Sequence, residues 1–147
     1  MKYINALSAL ARRAGVRWVV MGGSGFVAVG IGAALGAWLR WWLGIVLNTV
    51  VPSLPLGTLA ANLVGGFLIG IAVEYFGQQG SIPLELRLFV ITGFLGGLTT
   101  FSSFSAEAVG LLMRAQYAWA TALICSHLAG SILMTVLGIF TVRALAA

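Results

Sequence analysis

LRLFVITGFLGGLTTFSSFSAEAVGLL, residues 86–112, is the most informative run of this chain. About twenty apolar residues of helix cross a hydrocarbon core roughly 30 Å thick, and this run is longer than that. It carries one base near its start, Arg87, and one acid near its end, Glu107. Its centre is poor helix material: Gly96, Gly97, Thr99 and Thr100, followed by Ser102, Ser103 and Ser105. Glycines and hydroxyl residues lower helix propensity and compete for backbone hydrogen bonds. Irregular backbone inside a membrane is tolerated only where protein or a water-filled cavity surrounds it. A break here frees carbonyls at the end of the first half-helix and amides at the start of the second, the arrangement that supplies ion sites in transporters. The alternative is a continuous helix whose hydroxyls bond back to its own carbonyls.

The rest of the chain agrees with a membrane reading. Of its 147 residues, 61% are hydrophobic and 7% charged, against roughly a quarter charged in a soluble domain. Three further apolar stretches run from Met21 to Leu47, Leu56 to Phe76 and Tyr117 to Val142. Trp38, Trp41 and Trp42 stand at the end of the first, where amphipathic rings meet headgroups. Asn48 to Pro55 and Gly77 to Pro83 are loops, and Arg114 to Gln116 is a turn short enough to make the last two helices antiparallel neighbours. The expectation is an all-α membrane protein with four transmembrane helices, the third broken near the midplane. Residues 1–20 form a basic N-terminal extension and residues 21–147 the four-helix domain. The apolar run from Val16 is too long for a signal-peptide core and lacks a convincing cleavage site.

Charge and cysteine content exclude several functions. The net charge of +5 comes from scattered bases: Lys2, Arg12, Arg13 and Arg17 before the first span, then Arg40, Arg87, Arg114 and Arg143 near span ends. That distribution suits anchors facing membrane lipid headgroups and gives no nucleic-acid patch. Cys125 is the single cysteine, which rules out an intrachain disulfide and a thiolate metal cluster. No paired carboxylates, nucleophile elbow or phosphate-cradling glycine loop is present, so the chain does not read as an enzyme. Gly32 and Gly36, Gly66 and Gly70, and Gly93 and Gly97 repeat at four-residue spacing, which lets helices approach closely inside one subunit or between two.

Few polar side chains lie within the spans. Asn62 must pair its amide, either by joining helices or by coordinating something that passes. Thr58 precedes it by one helical turn on the same face. Phe101 and Phe104 share a face and serve either packing or an anion, because an aromatic ring has a positive edge. Glu107 is a site candidate as an acid near a span, with snorkelling to the interface as the alternative. His127 and Ser131 also share a face, and the histidine suits a helix–helix hydrogen bond or a ligand.

GGLTTFSSFSAEAVGLL (residues 96–112) resembles the signature of the Fluc/CrcB family of fluoride channels. GAALGAWLRWWLG (32–44), PLGTLAANLVGGFLIG (55–70) and HLAGSILMTVLG (127–138) resemble that family's other segments in order. The resemblance covers roughly residues 24 to 143. It implies a bacterial inner-membrane protein in which two identical subunits insert antiparallel, a dual-topology homodimer. It further implies two fluoride pathways and a central structural sodium ion. On matching positions, Asn62 contributes an amide donor, Phe101 and Phe104 present ring edges, and Thr58, Ser131, Glu107 and His127 line or flank the track. Gly96 and Thr99 offer backbone carbonyls to sodium. Such a channel lets cytoplasmic fluoride leave passively.

Insertion in both orientations needs balanced positive charge on the two sides. Within the family-like region, Arg87 and Arg143 oppose Arg40 and Arg114, while the extension adds bases to one side only. Translation from Met21 would restore the balance; retention of Met1 in the intact mass of natively expressed protein would refute that. Two rivals stand beside the channel. A small four-span multidrug transporter resembles it but places an acid in the first span, where this chain has none. A passive assembly subunit explains the glycines but leaves Asn62 and the phenylalanine pair without purpose.

Overall fold

The computed structural model describes residues 23–51, 54–79 and 81–146. Among the described residues, four helices are long and apolar enough to cross a membrane: α1 (Gly23–Leu47), α2 (Leu56–Gln78), α3 (Leu84–Met113) and α4 (Tyr117–Ala146). Their exteriors are largely apolar, with Phe26, Trp38, Trp41, Ile132 and Phe140 standing exposed, as suits a lipid-facing surface. The basic extension, and with it Met21, lies outside the described residues.

Neighbouring helices alternate in direction. At one end, Ser24 Oγ donates to Glu85 Oε1 at 3.2 Å, and the Arg87 guanidinium donates to the carbonyls of Phe76 and Gln79 at 2.6 and 3.1 Å. Those carbonyls end α2 and have no helical amide ahead of them, so Arg87 supplies the missing donors. Glu74 and Arg143 pair at the same end, the guanidinium reaching both carboxylate oxygens at 2.9 and 3.1 Å. At the other end, Asn48 Oδ1 accepts from the Gly57 amide at 2.8 Å and satisfies a free donor at the start of α2.

Two pairings dominate: α2 on α4, and α1 on the first half of α3. Both are set by the glycines. Gly93 sits against the Val29 carbonyl and Gly32, while a Cβ on Gly97 would meet the Ala33 carbonyl oxygen. On the other pairing, a Cβ on Gly70 would run into the Thr135 carbonyl oxygen, and one on Gly138 into that of Phe67. Without a hydrophobic drive between helices in lipid, such close backbone contact is the main source of association. All three glycine pairs are therefore used within a single subunit. The core falls into two patches. Ala61, Leu95 and Leu98 lie buried between α2 and the first half of α3, and Phe104, Leu111 and Leu123 lie between its second half and α4.

The third helix changes character along its length. Leu84–Arg87 is α-helical and Leu88–Leu95 is a π-helix, its wider turn visible where the Gly96 amide reaches back to Ile91 O. Gly96–Leu98 returns to α-helix, Thr99 and Thr100 are extended, and Phe101–Met113 forms the second half. Of the stretch expected to break the helix, Gly96 and Gly97 remain helical and the interruption falls on Thr99 and Thr100. β-Branched residues favour extended backbone, and each threonine has a local bond to make. Thr99 Oγ1 donates to Leu95 O at 2.9 Å. Thr100 Oγ1 accepts from the Ser103 amide at 3.1 Å, an N-cap for the second half. The span ends in a tight turn in which Ala115 takes φ 56°, with the Gln116 and Ala115 amides bonded to Leu111 O and Leu112 O, both at 2.9 Å. This is the left-handed helix end that glycine usually occupies.

Candidate functional site

The break acquires its shape from a residue on another helix. Asn62 projects from α2, where its Oδ1 accepts from the Thr100 amide at 2.8 Å and its Nδ2 donates to the Thr100 carbonyl at 3.0 Å. Thr100 is extended (φ −151°, ψ 122°), so its N–H and C=O point to the same side and one primary amide can serve both. The remaining Asn62 amide proton points at His127 Nδ1 on α4, 3.0 Å away. One side chain thus joins α2, α3 and α4 at the point where α3 is interrupted.

Around this clamp lies a groove of about 460 Å³ open along one side of the subunit. Asn62, Phe101, Phe104, His127 and Ser131 line it together with Gly96, Thr99 and Thr100, and among the described residues none that lines it is charged. His127 is 3% exposed and stacks on the Phe104 ring at 4.6 Å between centroids. Phe104 in turn meets Phe101 in an edge-to-face arrangement at 5.5 Å and 62°. Phe104 is buried, whereas Phe101 is 73% exposed and stands clear of its own subunit.

Thr58 and Glu107 are held together but lie apart from the groove. Thr58 Oγ1 donates to Glu107 Oε1 at 2.6 Å, and Glu107 Oε2 is buried with no partner among the described residues. Glu107 borders a second cavity of about 230 Å³, shared with Asn48, Pro55, Leu111 and Arg114. In the single subunit the expected track therefore divides in two, with five side chains in the groove and the Thr58–Glu107 pair outside it, Glu107 bordering the smaller cavity.

Three features of the site were not anticipated. Thr135 lines the groove one turn beyond Ser131, with its Oγ1 bonded to Ser131 O at 2.9 Å. Its spacing from His127 and Ser131 along one helix face was the signal available. Thr100 supplies its backbone to Asn62 and its hydroxyl to Ser103, a pairing no local pattern announces. Arg40, read as an interfacial anchor, reaches into the subunit and donates from Nε to the Gly97 carbonyl at 3.1 Å. A carbonyl near the end of the first half of α3 carries partial negative charge, which attracts a guanidinium.

The break also frees carbonyl oxygens. In a continuous helix the Thr100 amide would bond Gly96 O and the Ser103 amide Thr99 O. Here those amides turn to Asn62 Oδ1 and Thr100 Oγ1. Gly96 and Thr99 are left with hard neutral oxygens, a donor type that suits a hard cation. Among the described residues no three of His, Cys, Asp and Glu gather as a metal site.

A family model described as CrcB-like protein, Camphor Resistance (CrcB), matches residues 27–139. A Nitrosospira multiformis protein named Fluoride-specific ion channel FluC is 65% identical over 126 residues, which cover 86% of this chain and 98% of that protein. A Cupriavidus metallidurans protein of the same name is 57% identical over 126 residues, covering 86% of this chain and all of its own length (100%). One from Pseudomonas paraeruginosa, also so named, is 57% identical over 117 residues, with 80% and 92% covered.

Proposed function

The chain belongs to the CrcB family, and from that premise we propose that it is a fluoride-selective channel that lets cytoplasmic fluoride leave a bacterial cell passively across the inner membrane. In this reading the working unit is an antiparallel dual-topology homodimer with two fluoride pathways and one central sodium ion. The relatives named as fluoride-specific channels support the ion.

The observation that carries the reading is the chemistry of the groove wall. Fluoride is small and holds its water tightly, so a pathway must replace that water with donors or positive ring edges. A fixed cation at the narrowest point would bind too firmly for conduction, which needs escape as well as entry. The groove's described lining leaves the Ser131 hydroxyl, the His127 imidazole and two phenylalanine rings free to meet an anion, with no charged side chain, while both Asn62 amide protons are spent on Thr100 and His127. In this reading Phe101, a ring 73% exposed from its own subunit, would line a pathway that a second copy completes. Thr58 and Glu107 then lie farther along the same route.

Gly96 and Thr99 are the residues that would hold sodium, through the carbonyls released by the break. A bound sodium ion supplies positive charge that offsets the carbonyl ends of two opposed half-helices. For the anion the driving force is its own gradient. Hydrogen fluoride enters as a neutral weak acid and ionises in the less acidic cytoplasm, and the anion then leaves through the channel.

Fluoride efflux from liposomes containing the purified protein, with chloride as the parallel control, tests the function. Rapid fluoride release with little chloride release is expected. No release from verified dimeric protein would refute the channel. Crosslinking of single-cysteine variants across the dimer tests the antiparallel arrangement.

A further inference from the structure

His127 has a nitrogen that nothing yet described employs. Nδ1 faces Asn62, while Nε2 is buried and has no hydrogen-bond partner among the described residues. The ring forms part of the groove wall. Which nitrogen carries the proton follows from the Asn62 network. Turning the Asn62 amide over would set its NH₂ against the Thr100 N–H and its oxygen against the Thr100 carbonyl, two repulsive contacts in place of two bonds. Nδ2 therefore faces His127, and the atom it faces must accept. A protonated Nδ1 cannot accept, so the ring is neutral with its proton on Nε2.

We infer that Asn62 locks His127 as its Nε2–H tautomer, leaving that N–H as a buried hydrogen-bond donor to a small hard anion in the groove. The inference rests on the proposed channel function for the identity of the anion, and on geometry alone for the tautomer. An N–H kept from water and from protein acceptors is costly, and a halide accepting from it removes the cost. Solvent does not reach Nε2 in the subunit as it stands. An anion meets it after losing part of its hydration shell and with a small movement of the wall, conditions that favour an ion as small as fluoride. The clamp on the helix break and the placing of this donor are thereby one device. Asn62 acts here as a positioning residue, and His127 as the group that touches the ion.

His127 is the single histidine of the chain, so ¹⁵N-histidine labelling gives one imidazole to observe. The ring nitrogens of purified wild-type protein in detergent should show a neutral imidazole protonated at Nε2. Titration with sodium fluoride should move the Nε2–H resonance more than that of Nδ1, and sodium chloride should move neither. In Asn62→Asp, a carboxylate oxygen replaces the amide donor, and the proton is expected on Nδ1. In liposomes, His127→Phe keeps a stacking ring without an N–H and should slow fluoride efflux tenfold or more. His127→Gln, able to accept from Asn62 and donate onward, should recover much of it. A wild-type ring protonated at Nδ1, or an Nε2–H signal indifferent to fluoride, overturns the inference. So does full-rate efflux through His127→Phe. Absence of fluoride efflux from wild-type protein is a different failure: it removes the channel reading, while the tautomer is still decided by the fluoride-free spectrum.

Discussion

Replacing Asn62 by leucine tests the claim that one side chain shapes the break. Leucine is close in size and keeps the helix, but it removes three hydrogen bonds: 2.8 Å from the Thr100 amide, 3.0 Å to the Thr100 carbonyl and 3.0 Å to His127 Nδ1. A net hydrogen bond contributes about 1 kcal/mol in a folded protein, and side-chain bonds between membrane helices average about 0.6 kcal/mol. Three bonds at those values sum to about 2–3 kcal/mol. The figure is a lower bound if Thr100 stays in place, because each backbone group left buried and unpaired costs about 1–3 kcal/mol more. The assay is reversible unfolding in mixed micelles, with tryptophan fluorescence as the readout. A loss of 2 kcal/mol or more, with fluoride efflux also depressed, is the expected result. A loss below about 0.5 kcal/mol, within the range of ordinary surface substitutions, would show that Thr100 is held by other means and refute the clamp.

Other substitutions probe separate parts of the argument. Asn62→Asp places a negative charge in the groove, and fluoride efflux should fall tenfold or more; undiminished efflux would remove Asn62 from the pathway. Phe101→Ile keeps a similar volume without the ring edge, so efflux should fall while the subunit's stability changes little, and normal throughput would make the ring a packing residue. Gly70→Ala drives a methyl group into the Thr135 carbonyl and should cost about 1–3 kcal/mol by overpacking, read from the same unfolding curves; a neutral effect would mean that α2 and α4 can part freely. Ala115→Gly relieves a left-handed backbone at φ 56° and should raise stability by about 1 kcal/mol, whereas a loss would mean that the turn is not strained.

The spans were legible because lipid imposes a coarse code: long apolar runs separated by Asn48, Pro52, Pro55 and Pro83 leave little choice of boundary. α1, α2 and α4 accordingly begin or end within a few residues of their expected limits, apart from an added turn at the end of α4. That α3 is interrupted was also legible, from the concentration of glycine and hydroxyl residues at its centre. The stretch that holds the break, Gly96 to Thr100, was legible too; which of its residues leave the helix was not. Local propensity points to Gly96 and Gly97, but Gly97 is needed against Ala33, and the Asn62 amide captures Thr100 from another helix. Contacts made across thirty-eight positions of sequence leave no local trace. The π-helix at Leu88–Leu95 was equally hidden, because a uniformly apolar stretch does not record whether an amide reaches back four residues or five. Of the site, residue identities were legible and their grouping was not. Thr58 and Glu107 share a helical neighbourhood in sequence with Asn62 and Phe104, yet they pair with each other outside the groove, Glu107 at a different cavity.

The π-helix constrains how this chain can change its length. A wide turn stores one residue more than an α-helical path between the same endpoints. Upstream of it, Arg87 is tied to the end of α2; downstream, Gly97 and Thr100 are tied to α1 and α2. Deleting a single residue between Leu88 and Leu95 can be absorbed by tightening that turn, with both anchors kept. Deleting one between Gly96 and Phe101 has no such slack and rotates the second half of α3 by about 100°, carrying Phe101 and Phe104 off the groove. Length variation within this span is therefore confined to the segment before the break, and an aligned set of relatives should show its gaps there.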